Sequence, residues 1–348
     1  MAFTSFSGNK RPFISEIARK ASFNEIPLIS LSALHDELID SLRDACTRVG
    51  FFYIRDTGVA QDIISTTFST AEDFFAQDLA KKNEINYKKS KILRGYEPPA
   101  EVRTDESKKP DLNEAFNWGY ESEIDPLYKG QSVWKDNPMV GPNVWPDMPN
   151  FKPVLATYYG EVLTLARRLI KLFAEVLCLP PDYFDSLVST PGAMGRLIHY
   201  PPQPAGDPNA LGIGAHTDIE CFTILCQGSQ PALQILNVDG EWIEAPPIPG
   251  TFVVNIGDML ARWTNDVFIS TVHRVLNTTG QERYSIPFFF GANYDVEIRP
   301  LETCVRDGEN VKYEPIVAGD YVWRRLAQSR LDKKDIDQRA GKEVVVTV

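Results

Sequence analysis

The sequence predicts a mainly β protein, an antiparallel barrel or jelly roll against which earlier helices pack. Three observations lead there. From residue 195 onward short apolar runs recur about every ten residues, at 196–200, 221–227, 232–236, 251–256, 268–276 and 284–291, with turn signals between them. Asn237-Val238-Asp239-Gly240 separates two of these runs and reads as a hairpin turn. Before residue 195 the apolar spacing is helical instead.

Taken in chain order, residues 1–25 form an N-terminal arm expected to be loosely held. Ile26-Pro27-Leu28-Ile29 is a short strand entering the fold. Leu34, Leu38, Leu42, Ala45 and Val49 predict a helix over 33–49, capped by Gly50. Phe51-Phe52-Tyr53-Ile54 reads as a strand, closed by Asp56-Thr57-Gly58. A second amphipathic helix covers 60–77. Residues 90–150 are rich in Pro, Gly and Trp without sustained periodicity, the character of a functional lid. A long helix follows over 151–177, and the last helix over 318–329. One domain therefore spans 26–330, helix-rich over 26–194 with its lid at 90–150, and a jelly-roll core over 195–300. A charged C-terminal tail occupies 331–348.

A length of 348 residues suggests two domains, but β-barrel folds of this size commonly form one unit. The net charge of −11 opposes binding to nucleic acid, and Lys81-Lys82 and Lys88-Lys89 are too short to reverse that. No apolar run approaches a membrane span, and the start lacks the apolar stretch of a secretion signal. The five cysteines are irregularly spaced without a Cys-x-x-Cys, so buried free thiols are expected, in a reducing compartment. These features together predict a cytoplasmic protein, and no obligate protein partner is expected.

Only four histidines are present, and three fall in the β-rich half. His35, on the first helix, reads as a surface residue. In Gly214-Ala215-His216-Thr217-Asp218, strand alternation sets an imidazole and a carboxylate on one face. A surface hydrogen bond explains such a pair equally well. His273 lies 57 residues further on, far enough to return on another strand of the same barrel. Two imidazoles and a carboxylate then form a three-ligand face with open sites opposite, which suits iron(II) and O2. A three-coordinate zinc site uses the same residue types. Arg283 and Ser285 share one face of an apolar strand. A buried guanidinium needs an anion, either an internal carboxylate or a bound one, and an Arg–Ser pair suits a carboxylate.

His216-x-Asp218…His273 followed by Arg283-x-Ser285 resembles the isopenicillin N synthase-like branch of the Fe(II)/2-oxoglutarate dioxygenases. Pro27-Leu28-Ile29-Ser30, Gly50-Phe51-Phe52-Tyr53, Arg94-Gly95-Tyr96, Asn143-Val144-Trp145-Pro146, Tyr200-Pro201-Pro202 and Gly257-Asp258-Met259 extend the resemblance across 26–327. It implies a double-stranded β-helix core, Fe(II), and O2 and 2-oxoglutarate as co-substrates. It implies further that the keto-acid end chelates iron while Arg283 and Ser285 hold the distal carboxylate. The products are CO2, succinate and a hydroxylated, desaturated or cyclised small molecule, such as a secondary metabolite or amino-acid derivative.

Ile198-His199-Tyr200-Pro201 replaces the Asn-Tyr-Tyr-Pro of many plant relatives, so His199 or Tyr200 is expected to help hold 2-oxoglutarate. Glu220, Phe289, Arg94, Tyr96, Phe116 and Asn117 are the candidate substrate contacts. A core aromatic at Phe289 and a water-facing carboxylate at Glu220 are the plain alternatives. Two other classes of function remain open: an oxidase that spares 2-oxoglutarate (an ethylene-forming reaction being a third variant), and a non-catalytic binding protein on the same scaffold. All five key positions being intact weighs against the latter.

Overall fold

The computed structural model describes residues 2–4, 10–22, 25–104, 110–128, 139–203, 211–306 and 308–331. Runs of aromatic and β-branched residues broken by polar turns set the strands. In chain order these are β1 (Ala2–Thr4), β2 (Lys10–Pro12), β3 (Arg19–Lys20), β4 (Leu28–Ser30), β5 (Phe51–Arg55), β6 (Gly95–Glu97), β7 (Glu114–Gly119), β8 (Met194–Tyr200) and β9 (Leu211–His216). There follow β10 (Phe222–Gln227), β11 (Leu233–Leu236), β12 (Trp242–Glu244), β13 (Phe252–Ile256), β14 (His273–Leu276), β15 (Arg283–Phe290), β16 (Glu297–Ile298) and β17 (Ile316–Val317). The α-helices are α1 (His35–Asp44), α2 (Gln61–Phe75), α3 (Leu79–Glu84), α4 (Phe151–Val176), α5 (Asp258–Trp263) and α6 (Ala318–Arg330).

Eight strands form the larger sheet in the order β4-β5-β13-β10-β15-β8-β7-β6, and five form the smaller, β3-β12-β11-β14-β9. Side chains of the two sheets meet in two apolar clusters. In one, Phe51, Tyr53 and Val253 of the large sheet meet Leu233, Ile235 and Ile243 of the small. In the other, Ala115, Ile198 and Tyr200 meet Val275, with Ile213 alongside. The jelly-roll core expected from the strand spacing is present. The candidate site adjoins the first of these clusters, where His273 pairs with Ile235 and packs against Phe51.

The outer face of the large sheet carries the main core, closed by α1, α2 and α4. The apolar stripe of α4 faces this sheet, and Phe173 meets Phe52, Phe222 and Phe268 edge-on at 6.5, 5.2 and 5.8 Å between ring centres. The predicted helix over 33–49 is α1 plus a π-helical turn at Ala45–Val49, ended by Gly50 at φ 72°. That left-handed cap lets the chain reverse into β5. The hairpin over Asn237–Gly240 also forms, Asn237 N–H donating to Glu241 O at 2.9 Å.

Two expectations need correction. The described parts of the arm are not loose: β1 and β2 pair, β3 extends the small sheet, and Phe3, Phe13 and Ala18 cover Leu236, Trp242 and Val272. An exposed sheet face lined by Trp242 is what the arm removes from water. Nor is 90–150 without regular structure, because β6 and β7 pair and extend the large sheet. Short strands dense in Gly and Pro escape a periodicity test. Beyond Leu331 the charged tail lies outside the described residues. Among those described, no helix is long and apolar enough to cross a membrane.

Candidate metal centre

His216 ends β9 and His273 begins β14, and the antiparallel register sets the two directly opposite. Their ring centres are 4.2 Å apart. Asp218 is not on the strand, as alternation suggested; it lies in the turn beyond it, pinned where Asp258 N–H donates to its backbone carbonyl at 2.8 Å. Its Oδ1 lies 3.6 Å from His216 Nε2 and 3.7 Å from His273 Nε2. One ligand atom from each residue can be chosen so that all lie within 4.8 Å of one another.

The surrounding hydrogen bonds fix what each atom can do. His216 Nδ1 lies 2.8 Å from Gly214 O and His273 Nδ1 lies 3.2 Å from Thr271 O. A carbonyl only accepts, so both Nδ1 atoms carry the proton and both Nε2 lone pairs face Asp218. Asp218 Oδ2 accepts from Thr223 Oγ1 of β10 at 2.5 Å and from Asn255 Nδ2 of β13 at 2.7 Å. Oδ1 is left toward the imidazoles. Phe51 packs edge-on to His273 at 5.1 Å.

The electrostatics suit a cation. Burial pushes Asp218 up, yet the two imidazoles and Asn255 outweigh it and hold the carboxyl well below the usual range. Burial opposes protonation of His216, but Asp218 and the Gly214 carbonyl raise it; His273, buried beside His216, falls to about 4. Two neutral Nε2 donors and one carboxylate oxygen are a donor set that fits Fe(II), with the remaining coordination positions open. Asp258 organises the turn: Thr217 Oγ1, Ser270 Oγ and Arg325 Nη1 donate to its carboxylate at 3.0, 2.6 and 2.7 Å.

Arg283 lies on the inner face of β15, paired in register with Tyr200, and is 1% exposed. Its guanidinium sits 4.6 Å over the Tyr200 ring. Only long bonds hold it, Nη1 donating to Ser285 Oγ and Nε to Gln230 O, both at 3.3 Å. Among the described residues no carboxylate pairs with it. The internal salt bridge that sequence left open is thus absent there, and a buried cation with weak partners suits an anion.

The other expected residues divide by strand face. Phe289 points inward opposite Thr223, beside the Asp218 brace, and Asn117 points inward to Arg196. His199 is a correction: it pairs with Tyr284 on the opposite face from Tyr200, stacks on that ring at 4.8 Å and meets Glu114 Oε1 at 2.8 Å. Tyr96 and Phe116 are also outward, Tyr96 donating to Glu114 Oε2 at 2.5 Å and Phe116 packing on Phe74 and Phe151. Arg94 donates to Gly141 O and Asn143 Oδ1, each at 3.0 Å, and so tethers a loop. Glu220 is buried in the turn after Asp218, not on a water-facing strand, and burial together with Asp218 pushes it up to about 8. Sequence reading missed Thr223, Asn255 and Asp258 as site builders. A lone Asn inside the apolar run Phe252-Val253-Val254-Asn255-Ile256 was the available signal.

Comparison with known proteins agrees with this geometry. Residues 191–292 match the 2OG-Fe(II) oxygenase superfamily model, and residues 26–148 match the model described as non-haem dioxygenase in morphine synthesis N-terminal. The chain is 35% identical over 353 residues to the 2-oxoglutarate-Fe(II) type oxidoreductase ppzC of Metarhizium rileyi (strain RCEF 4871), covering 92% of each chain. It is also 35% identical to homoarginine-6-hydroxylase 2-ODD-233 of Oryza sativa subsp. japonica, covering 88% of this chain and 98% of the relative. Among solved structures, a full-length Neurospora crassa protein crystallised in complex with alpha-KG and thymine superposes with TM-score 0.77 at 28% identity, over 88% of this chain and 98% of the other. With two family models in sequence and a full-length likeness, this chain belongs to the 2OG-Fe(II) oxygenase superfamily.

Proposed function

We propose that His216, Asp218 and His273 hold Fe(II), and that Arg283 and Ser285, over the Tyr200 ring, hold the distal carboxylate of 2-oxoglutarate. As a family member the chain uses Fe(II), 2-oxoglutarate and O2. One observation carries the residue assignment: Arg283 is buried without a carboxylate partner among the described residues, on the strand whose Phe289 adjoins the Asp218 brace. The bound iron supplies O2 activation coupled to oxidative decarboxylation of 2-oxoglutarate.

The chain's own residues perform the rest. Hydrogen bonds to the Gly214 and Thr271 carbonyls fix the Nδ1–H tautomer and the ring orientation, so that both Nε2 atoms are aimed at the metal position. Thr223 and Asn255 direct one Asp218 oxygen inward. Tyr200, Phe289 and the apolar clusters exclude water around the pocket. The substrate is a small organic molecule, hydroxylated, desaturated or cyclised, with secondary metabolites the class suggested by fungal relatives such as the 2-oxoglutarate-dependent dioxygenase citB of Monascus ruber. An oxidase that spares 2-oxoglutarate is disfavoured, since the named relatives are 2-oxoglutarate enzymes. A cytoplasmic location fits the five free cysteines.

The test is anaerobic addition of Fe(II) and 2-oxoglutarate, read by the visible absorption of the chelate, then O2 and succinate assay. Binding and succinate release in the wild type, with both lost in His216→Ala, support the assignment. Equal metal binding by the two proteins overturns it.

A further inference from the structure

Outside the metal ligands and Arg283, a second charged cluster inside the barrel surrounds Glu97. Arg196, on the inner face of β8, is 6% exposed and Glu97, on β6, is 1% exposed. Arg196 Nη1 lies 2.7 Å from Glu97 Oε2 and donates to Asn117 Oδ1 at 3.2 Å. From the far end of α6, Arg330 Nε donates to Glu97 Oε1 at 2.5 Å. The cluster therefore joins two guanidiniums to one carboxylate.

That balance is incomplete. Glu97 Oε2 is buried with no aligned hydrogen bond, although Arg196 is close. Among the described residues, Nε and Nη2 of Arg196 and Nη2 of Arg330 have no acceptor. Asp111, the other carboxylate within electrostatic reach of Arg196, already accepts from Thr104 Oγ1 and Gly214 N–H. Burial and the second guanidinium push Arg196 below the ordinary arginine range in spite of Glu97. Two guanidiniums therefore share one directly contacting carboxylate, with Asp111 acting on Arg196 only at longer range, and such a pair suits a further anion.

Position separates this socket from the first. Arg196 is four residues along β8 from Tyr200 at the Arg283 socket, about 13 Å of strand. It is two residues from Met194, whose register partner Phe289 adjoins the Asp218 brace. So one cationic socket lies at the far end of the barrel and a second lies toward the metal end.

We propose that Arg196 and Arg330, held apart by Glu97, receive a carboxylate of the primary substrate, so that this oxygenase acts on small organic acids. The assignment rests on the oxygenase reading above. Glu97 gives the two guanidiniums their spacing while leaving donors over, and the fork of Arg suits a planar carboxylate. Because Arg330 belongs to α6, a bound acid also ties that helix to the barrel wall.

The test uses the full-length protein with benzoate, phenylacetate, 4-phenylbutanoate and hexanoate, each beside its primary amide. With Fe(II) and saturating 2-oxoglutarate, at least one acid is expected to speed succinate release about tenfold or more over its amide. In metal-free protein the same acid raises the melting temperature while its amide does not, and Arg196→Met loses that difference. Arg196→Lys replaces Arg196→Met where the latter does not fold. Glu97→Gln, which removes the competing carboxylate, lowers the half-saturating acid concentration. Equal effects of acid and amide, or no acceleration by any acid, overturn the proposal while slow 2-oxoglutarate consumption leaves the oxygenase reading standing. A wild type that binds no 2-oxoglutarate at all overturns that reading instead.

Discussion

Asp218 can complete a metal site with the two histidines because its two oxygens are given different work. Oδ2 is occupied by Thr223 and Asn255, so Oδ1 alone faces the imidazoles. Removing either brace lets the carboxylate rotate, and outer hydrogen bonds of this kind are worth about 10–100-fold in metal affinity. Thr223→Val and Asn255→Ala are each expected to weaken Co(II) or anaerobic Fe(II) binding by about that factor, measured by titration of folded protein. Unchanged affinity in both variants would mean the braces do not orient the ligand. At the far end, Arg283→Met removes charge-assisted bonds worth about 1.5–3 kcal/mol, so the KM for 2-oxoglutarate should rise roughly 10–100-fold. Residue identity was the most legible layer of this site. His216, Asp218, His273, Arg283 and Ser285 stand in order in the sequence; the first three converge in space and the last two meet on β15, because ligand chemistry restricts residue type severely. Thr223 and Asn255 were not legible. A hydroxyl or an amide in a buried strand has many uses, and only the fold says which carboxylate it meets.

At the scale of elements, strand alternation decides which neighbours of the site belong to it. Tyr200 and Arg196 face inward on β8, while His199 between them faces outward to Tyr284 and Glu114. The sequence carries that alternation, but the side facing the metal appears only once register with β15 is known. Helices and most strands were readable from periodicity. The β6–β7 extension was not, since three- and six-residue strands offer too few repeats. The outer face should be energetically separate from the site. Phe173→Ala removes the ring wedged among Phe52, Phe222 and Phe268, at a cost of about 3–5 kcal/mol by chemical denaturation, with metal affinity of the folded protein unchanged. Asp125 ties α4 to the segment after β7, accepting from both Arg167 Nη1 and Nη2 at 2.7 Å. Burial raises this carboxyl, but Arg167 and the Leu127 N–H outweigh it and depress its pKa. A depressed carboxyl stabilises above its unfolded value, about 3.9, and that contribution is lost as pH falls below it. Asp125→Asn should therefore cost about 3 kcal/mol at neutral pH and progressively less on acidification, read as the gap between the two stability–pH curves.

For the molecule as a whole, the proposed metal ligands add a polar link between two sheets that already share apolar clusters. His216 and His273 belong to the small sheet, whereas Asp218 is braced by Thr223 and Asn255 of the large one. An ion bound by all three residues links the two sheets. Binding to the folded chain alone stabilises it by mass action, about 2.7 kcal/mol at a metal concentration 100 times Kd. Urea unfolding with and without Co(II) should show that shift in the wild type and none in His216→Ala. The same linkage makes 2-oxoglutarate a second, conditional stabiliser. In the proposed binding mode its keto-acid end needs the ion and its distal end needs Arg283, so in the absence of metal its effect on the unfolding midpoint should be small. With metal it should add a further shift that Arg283→Met removes and His216→Ala abolishes. Equal stabilisation by 2-oxoglutarate in metal-free and metal-loaded protein would mean the two ends do not act on one bound molecule.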